Sequence, residues 1–287
     1  MIDDIPDPRL GEAYVHCEQL LRDGDRDRWL ACLFAPADSR RHLHALYAFS
    51  LDIARVRDIV SDPMPGEIRF QWWRDVLEGE GRGDIAAHPV AAAILNTKRI
   101  CHLPREALTN LVDARTFDLY DDPMPGVRQL EGYCGETSSA LFRMAAIILA
   151  RGRDAGDPDV AGHGGIAYAI AGLLRSLPWH AARGQCYAPI EILKSHGGNR
   201  ESVVSAAATP ALLASLTDMR EIARHHLAAA ERELKKAPPW TAPAYLPLAL
   251  VEPYLRRMEV GRYDPFKTRV DLPQWRRQWA LWWAARG

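Results

Sequence analysis

The stretch Gly164 to Pro189, GGIAYAIAGLLRSLPWHAARGQCYAP, decides how the rest of the chain is organised. Its first half mixes glycine and alanine with isoleucine and leucine. This composition predicts a helix that neighbouring elements can approach closely, because small side chains leave room for another backbone. Pro178 lacks a backbone donor and clashes with a preceding helical turn, which predicts that the helix stops there.

Arg175 stands at the end of this apolar run, and two interpretations of it remain open. A guanidinium at the mouth of a tightly packed helix is a poor core group and a good anchor for a phosphate, because its planar fork donates paired hydrogen bonds. The same side chain can instead cap the last carbonyl groups of its own helix. His180, Arg183 and Tyr187 follow along the way out of the stretch.

The composition is that of an ordinary globular protein. The 287 residues are 48% hydrophobic, which is ample for a core, and 36 basic residues nearly balance 37 acidic ones, so nucleic acid is not indicated as a partner. The five cysteines form no close C-x-x-C pair, which favours reduced thiols over a zinc site. Since the N-terminal residues lack a leader pattern and no apolar run reaches the length of a membrane span, we predict a cytoplasmic protein.

Apolar residues recur at intervals of three and four along most of the chain, between proline-containing turns. The regions Val127 to Ala150 and Pro210 to Ala237 are examples. No alternating pattern of useful length indicates a strand. The sequence therefore predicts an all-α protein with nine or ten helices.

The region from Arg40 to about Ser61 is predicted to be one long helix packed on several sides. Four charged residues within this helix or just after it would share an arc of about 120° at helical spacing. These residues are Asp52, Arg55, Asp58 and Asp62. They form either a solvated stripe of ion pairs or a face that binds a ligand.

Two further features stand out. The string Asp-Pro-Met-Pro-Gly occurs at Asp62 to Gly66 and again at Asp122 to Gly126, where its prolines are predicted to terminate helices. Near the C-terminus, a tryptophan stripe lies beside arginines at helical spacing. Its members are Trp275, Trp279, Trp282 and Trp283 with Arg276, Arg277 and Arg286. The stripe either docks on the core or makes peripheral contact with a membrane interface.

Several short strings occur in a fixed order. They are RRHLHALYAF (Arg40 to Phe49), HPVAAAI, LPREAL, YCGETSSALF, and LLR followed by RGQCYAP. From Ala13 to about Val260, this ordered set resembles the squalene and phytoene synthase family. The strings SLDIARVRDIVSD and LLRSLPWHAARGQCYAP are most similar to the branch that includes the mitochondrial assembly factor for respiratory complex I.

This resemblance implies a single-domain, all-α isoprenoid-synthase-type helical bundle around a central cavity, spanning residues 1–287. Its core would cover about 13–260, followed by the Trp-rich segment 271–287. In active members, two aspartate-rich motifs hold Mg²⁺, which neutralises the diphosphates of two prenyl substrates joined head to head. Several residues match substrate-binding positions of the family, which implies a prenyl diphosphate or another isoprenoid, lipid-like ligand. They are Tyr47, Tyr133, Arg175, Arg183 and Tyr187.

The metal-binding motifs depart from the family pattern. The second motif reads Asn-x-x-x-Asp-x-x-x-Asp in active relatives, and Gly172, Ser176 and His180 correspond to it here. None of these three residues is a carboxylate. The first motif is also depleted in acidic residues, so the resemblance allows at most one Mg²⁺, on Asp58 and Asp62.

Two hypotheses on function remain. In the first, a degenerate family member binds a prenyl diphosphate or lipid-like ligand without condensing it and serves in assembly or regulation. In the second, an active prenyltransferase uses a rearranged metal site built from Asp52, Asp58 and Asp62, with Asp118 as a further candidate. A purely structural helical module is a third possibility.

Overall fold

The computed structural model of the chain describes residues 8–81, 83–261 and 263–286. Within these ranges all regular secondary structure is helical and no strand occurs, which confirms the all-α prediction. No helix in this part of the chain is both long and apolar enough to cross a membrane. Residues 1–7, which the leader prediction concerned, lie outside the described ranges.

The chain forms two compact units. One comprises Met1–Leu119, Arg143–Gly156 and Pro238–Ala244, and the other comprises Tyr120–Phe142, Asp157–Ala237 and Tyr245–Gly287. A single domain over 1–287 stays a prediction.

The first unit contains the N-terminal helices. They are α1 (Pro8–Gly24), α2 (Arg26–Cys32), α3 (Ala37–Ala54), α4 (Val56–Ile59), α5 (Pro63–Glu78), α6 (Pro89–Cys101) and α7 (Arg105–Arg115). Helix α3 packs against α1 and α6. Every residue from His42 to Ser50 is buried, which confirms that this helix is covered on several sides. Phe49 meets the edge of the Trp73 ring, with 4.9 Å between ring centroids.

The predicted long helix from Arg40 to Ser61 is wrong in its second half. Helix α3 ends at Ala54, and Val60 has extended backbone after the short α4. Two local causes act together. The β-branched residues around Val60 have lower helix propensity, and Pro63 disfavours helical backbone at Asp62. Asp58 and Asp62 therefore do not share one continuous helical face.

The first Asp-Pro-Met-Pro-Gly string forms the N-cap and first turn of α5, and the second lies directly before a helix that begins at Val127. In the first copy, Asp62 is the N-cap residue of α5 and Pro63 lies in its first turn, where a missing backbone donor costs nothing. In the second copy, the backbone N–H of Met124 donates to the carbonyl of Cys186 (3.3 Å), and the Met124 carbonyl accepts from Ile190 (2.8 Å). The string therefore initiates helices as well as following them.

A buried polar network joins α1, α3 and α6. The Tyr14 hydroxyl lies 3.1 Å from both His42 Nδ1 and Thr97 Oγ1, and His42 Nδ1 lies 2.9 Å from Thr97 Oγ1. Burial lowers the pKa of His42 to about 4, and the positive charge of Arg41 acts in the same direction. The network therefore requires a neutral imidazole.

This network predicts a loss of stability in mild acid. The unfolded chain protonates His42 below its ordinary pKa of 6.5, whereas the folded chain resists protonation down to about 4. Lowering the pH from 7 to 5 should therefore cost about 2 kcal/mol of unfolding free energy through His42 alone. Urea unfolding at both pH values should show a smaller acid loss in His42→Gln than in the wild type. An identical loss in both proteins would contradict the assignment.

The other α-helices follow in chain order. They are α8 (Val127–Cys134), α9 (Ala140–Ala150), α10 (Pro158–Arg175), α11 (Leu177–Ala181), α12 (Ile190–Ser195), α13 (Arg200–Val204), α14 (Pro210–Leu234), α15 (Ala242–Tyr245), α16 (Val251–Arg257) and α17 (Gln274–Ala284). A π-helical turn, Gly135–Ser139, interrupts the predicted helix from Val127 to Ala150. In the second unit, α10 packs along α14 and against the π-helical turn.

The glycines of α10 do permit close approach, as predicted. A Cβ atom added at Gly165 would lie 2.3 Å from the backbone N and Cα of Ser139, and one at Gly164 would lie 2.8 Å from Leu248 Cδ1. The Ser139 hydroxyl donates to the carbonyl of Gly162 at 2.7 Å. The π-helical turn is thus held directly against the backbone of α10.

Three of the four tryptophans of the stripe do not dock on the core, and the fourth, Trp282, is half-buried. Helix α17 is buried through Arg277 and Leu281, whereas Trp275, Trp279 and Trp283 are 64%, 60% and 67% exposed. Arg277 Nε donates to the Tyr254 hydroxyl at 3.1 Å, and the same guanidinium pairs with Asp271. An arginine therefore anchors the helix, and three of its tryptophans face outward.

Candidate functional site

The predicted substrate-binding residues divide between the two units. Tyr133, Arg175, Arg183 and Tyr187 belong to the second unit, and Tyr47 belongs to the first. Within the second unit, they surround the junction of α10 and α11. Helix α10 ends at Arg175, and Ser176 separates it from α11.

Tyr187 lies at the centre of an aromatic cluster. Its ring centroid lies 5.6 Å from that of Tyr133 and 4.6 Å from that of His180. Gln185 Nε2 donates to the Tyr187 hydroxyl at 3.4 Å. The structure therefore brings together Tyr133 and Tyr187, as the family resemblance implied, and adds His180 to them.

Arg175 stacks on an aromatic ring. Its guanidinium carbon lies 3.6 Å from the ring centroid of Tyr254, a residue of α16 that the sequence did not single out. The Tyr254 hydroxyl in turn accepts from Arg277. A cation over a tyrosine face is stabilised by the ring quadrupole, so the stack fixes the orientation of the guanidinium plane.

Arg183 follows α11 in a tight turn. Its backbone N–H donates to the carbonyl of His180 at 3.0 Å, and Gly184 has a φ of 75°, which favours glycine. The Arg183 guanidinium lies 3.7 Å from the ring centroid of Trp179, which is 55% exposed. Arg200 donates to the Gly184 carbonyl at 2.6 Å and so secures the turn. The turn thus holds a half-buried arginine beside an exposed aromatic ring.

The three positions of the second metal motif keep a helical relation across the α10–α11 junction. The backbone N–H of Ser176 donates to the Gly172 carbonyl at 3.0 Å, and that of His180 donates to the Ser176 carbonyl at 2.9 Å. Both are α-helical bonds between residues four apart, so the three side-chain positions stack along one face. Helix α10 ends at Arg175, shortly before Pro178 as predicted, and the proline itself lies in the first turn of α11.

In the first unit, Tyr47 is buried beneath an arginine. The Arg28 guanidinium carbon lies 5.1 Å from the Tyr47 ring centroid. Arg28 also forms an ion pair with Asp25 at 3.2 Å, and its backbone N–H donates to the same carboxylate. Asp25, Arg28 and Tyr47 thus form one cluster at the start of α2, which the sequence motifs did not reveal.

The carboxylates of the first unit occupy different environments. Asp52 accepts a hydrogen bond from Trp73 Nε1 (3.2 Å), and the buried Asp118 forms an ion pair with Arg115 (3.0 Å). Asp58 and Asp62 are exposed. Among the residues that the structure describes, no group of three or more His, Cys, Asp or Glu side chains is arranged to hold a metal ion. This donor set does not fit a cluster of Mg²⁺ ions, and one Mg²⁺ on Asp58 and Asp62 stays a prediction.

The sequence motifs also did not reveal a buried histidine of the second unit, His226. His163 and His226 face each other with 2.9 Å between their Nδ1 atoms, and His226 Nε2 lies 3.1 Å from Glu131 Oε1. Burial lowers the pKa of His226, although Glu131 opposes that shift. A neutral His226 that donates to Glu131 must accept from His163, which ties α8, α10 and α14 together.

The chain belongs to the squalene/phytoene synthase family, whose model matches residues 21–283. The family prediction is thereby confirmed.

Individual relatives fall into two functional groups. The complex I assembly factor 6 of Rattus norvegicus is 28% identical over 259 residues, which cover 90% of this chain and 78% of that protein. The 15-cis-phytoene synthase of Synechococcus elongatus is 23% identical and covers 95% of this chain and 92% of its own length. The crystal structure of squalene synthase HpnC from Alicyclobacillus acidocaldarius has a TM-score of 0.74 at 21% identity, covering 90% of this chain and 97% of that one. This last similarity shows a shared fold.

Proposed function

We propose that the chain binds a prenyl diphosphate, or a related isoprenoid lipid, and does not join two of them head to head. One observation carries the proposal. Gly172, Ser176 and His180 lie along one helical face, where active relatives place metal-binding side chains, and none of them supplies a carboxylate. The backbone that would carry the metal ligands is retained, and the ligands are missing.

The retained cationic and aromatic residues support binding of a diphosphate. Arg175 lies between Gly172 and Ser176 in sequence, and Arg183 follows His180. The Arg175 guanidinium is oriented by the Tyr254 ring and the Arg183 guanidinium by the Trp179 ring. Guanidinium groups bind phosphate oxygens through paired, charge-assisted hydrogen bonds. Pre-oriented arginines lose less conformational freedom when an anion binds, and this lowers the entropic cost of binding.

The rearranged-transferase hypothesis receives less support. It uses Asp52 as a Mg²⁺ ligand, with Asp118 as a further candidate, yet Trp73 donates to the first and Arg115 pairs with the second. An arginine beside a carboxylate competes with a cation for the same oxygen atoms. The exposed carboxylates of Asp58 and Asp62 are left as candidates for a single ion, which does not replace a set of bridging ions.

The relatives named as assembly factors support a role in assembling an enzyme complex. Complex I assembly factor 6 of rat and human is 28% and 29% identical to this chain over most of its length. We propose by this likeness that ligand binding serves assembly of a respiratory enzyme complex on the cytoplasmic side of a membrane. The ligand would then act as a structural or regulatory group.

The binding proposal is tested by titrating farnesyl diphosphate into the protein in EDTA, with isothermal calorimetry as the readout. Arg183→Gln should weaken binding at least about tenfold, because a hydrogen bond to a charged group contributes about 1.5–3 kcal/mol. Arg153→Gln is a matched control, since Arg153 also stacks on a tryptophan, Trp240, at 4.4 Å. Its affinity should stay at the wild-type value.

Two outcomes would contradict the proposal. The first is equal affinity in the Arg183 and Arg153 variants. The second is the absence of any binding of farnesyl diphosphate to the wild type. Farnesol in place of the diphosphate separates the ligand classes, because binding of equal strength would show that the prenyl chain, and not the anion, is recognised.

A further inference from the structure

The exposed face of α17 carries three tryptophans on one side of the helix. Trp275, Trp279 and Trp283 are spaced four residues apart, and each is at least 60% exposed. The Trp279 and Trp282 rings stack with 5.2 Å between centroids. Tryptophans are costly to expose to water as a group, and they are enriched where a protein meets the headgroup region of a membrane.

Grooves lie on both sides of Trp279. One groove, of about 560 Å³, is lined by residues of α16, the segment before α17 and α17 itself, including Arg256, Arg257, Trp275 and Arg276. The other groove, of about 450 Å³, has a floor of small residues, Ala249, Ala280 and Ala284, beside Trp279 and Trp283. The first combines cations with aromatic rings, and the second is apolar.

The charge around this face is positive. Helix α17 contains no acidic residue, and Arg286 follows it with its guanidinium over the Trp282 ring at 3.6 Å. Arg277 is buried and pairs with Asp271, whereas Arg257 and Arg276, which line the first groove, are exposed. Glu252, which also lines this groove, accepts from Arg256 and from Arg224, which it shares with Glu221 and Glu259. The chain as a whole is nearly neutral, so this excess of positive charge is local.

We infer that α17 is a membrane-contact helix that lies in the interface of an anionic lipid bilayer. The tryptophans would enter the headgroup region, Arg257 and Arg276 would contact lipid phosphates, and the alanine-floored groove would receive part of an acyl chain. Charge complementarity selects an anionic membrane as the occupant, because an aromatic face surrounded by arginines matches negatively charged headgroups. This contact is distinct from the Arg175–Arg183 region and does not depend on the proposed ligand.

The test is co-sedimentation of the full chain with vesicles of phosphatidylcholine containing phosphatidylglycerol, and with phosphatidylcholine alone. The wild type should bind the anionic vesicles at low salt, with a blue shift of its tryptophan fluorescence, and bind the neutral vesicles much more weakly. Trp275→Ser/Trp279→Ser/Trp283→Ser should reduce the vesicle partition coefficient at least about tenfold, since the burial of a single aromatic side chain already changes such a coefficient by about that factor. Arg257→Gln/Arg276→Gln should remove the preference for anionic lipid.

A matched control replaces exposed apolar residues of the other unit, Val15→Ser/Met64→Ser/Ile68→Ser, which are 65%, 73% and 66% exposed. This variant should partition like the wild type. Equal loss in both triple variants, or no binding of the wild type to either vesicle, would overturn the inference. Concentration-dependent dimerisation that the tryptophan triple variant abolishes, without vesicle binding, would assign the face to a second copy of the chain instead. Unchanged farnesyl diphosphate affinity in the tryptophan variant separates this test from that of the proposed function.

Discussion

Replacing Gly165 by alanine is expected to lower the free energy of unfolding by at least about 3 kcal/mol, near the upper end of what overpacking usually costs. The added methyl group would lie 2.3 Å from the backbone N and Cα of Ser139. Backbone atoms cannot move aside as the end of a flexible side chain can. The Ser139 hydroxyl is also bonded to the Gly162 carbonyl, which holds the π-helical turn in place. Helix α10 would therefore have to separate from that turn.

The same helix supplies the control. A Cβ atom at Gly172 would meet nothing within 4 Å, so Gly172→Ala introduces no overlap. Because alanine has the higher helix propensity, the free energy of unfolding of this variant should equal that of the wild type or exceed it by up to about 1 kcal/mol. Urea unfolding of both variants measures the difference directly. Equal destabilisation, or a wild-type stability for Gly165→Ala, would show that the close packing of α10 is not as described.

The sequence predicted this part of the structure well because the signal is local. Small residues recur along α10, and they allow neighbouring backbone to pack closely against the helix. The sequence could not tell Gly165 from Gly172, however, since the difference depends on which neighbour faces each one. That neighbour is a π-helical turn within a segment whose apolar spacing predicted an unbroken α-helix.

The charged motifs were harder to interpret. Asp52, Asp58 and Asp62 looked like one face because helical spacing was carried across Arg55, where the helix in fact breaks. The helix propensity of a few residues determines such a break. The long apolar run before it has helical spacing, and this hides the end of the helix in the sequence. The extended backbone at Val60 then separates Asp58 from Asp62.

The candidate site was found by motif order and not by chemistry. The ordered strings located Tyr133, Arg175, Arg183 and Tyr187, whereas Tyr254, which orients Arg175, lies outside them. Its role arises from packing between distant segments, which a single sequence does not reveal. The tryptophans of α17 were visible in the sequence, but their exposure was not. An amphipathic helix usually buries its aromatic side, whereas Arg277 anchors this helix.

The second prediction with a large effect concerns catalysis. Breaking a prenyl diphosphate bond leaves a carbocation and a diphosphate anion, and a bound metal stabilises the developing negative charge by several kcal/mol. Each 1.36 kcal/mol lost from that stabilisation slows the reaction about tenfold. Gly172, Ser176 and His180 supply no carboxylate to hold such an ion. Arg175 and Arg183 can bind the diphosphate, but a fixed guanidinium does not bridge its oxygen atoms as a metal does.

The most direct measurement of the central claim is incubation of the purified chain with farnesyl and geranylgeranyl diphosphate plus Mg²⁺. Native mass spectrometry detects bound ligand, and lipid extraction followed by chromatography detects products. We expect intact prenyl diphosphate bound to the protein, with no condensed product above a no-enzyme control. Formation of presqualene diphosphate, squalene or phytoene above that control would contradict the account and identify the chain as an active synthase.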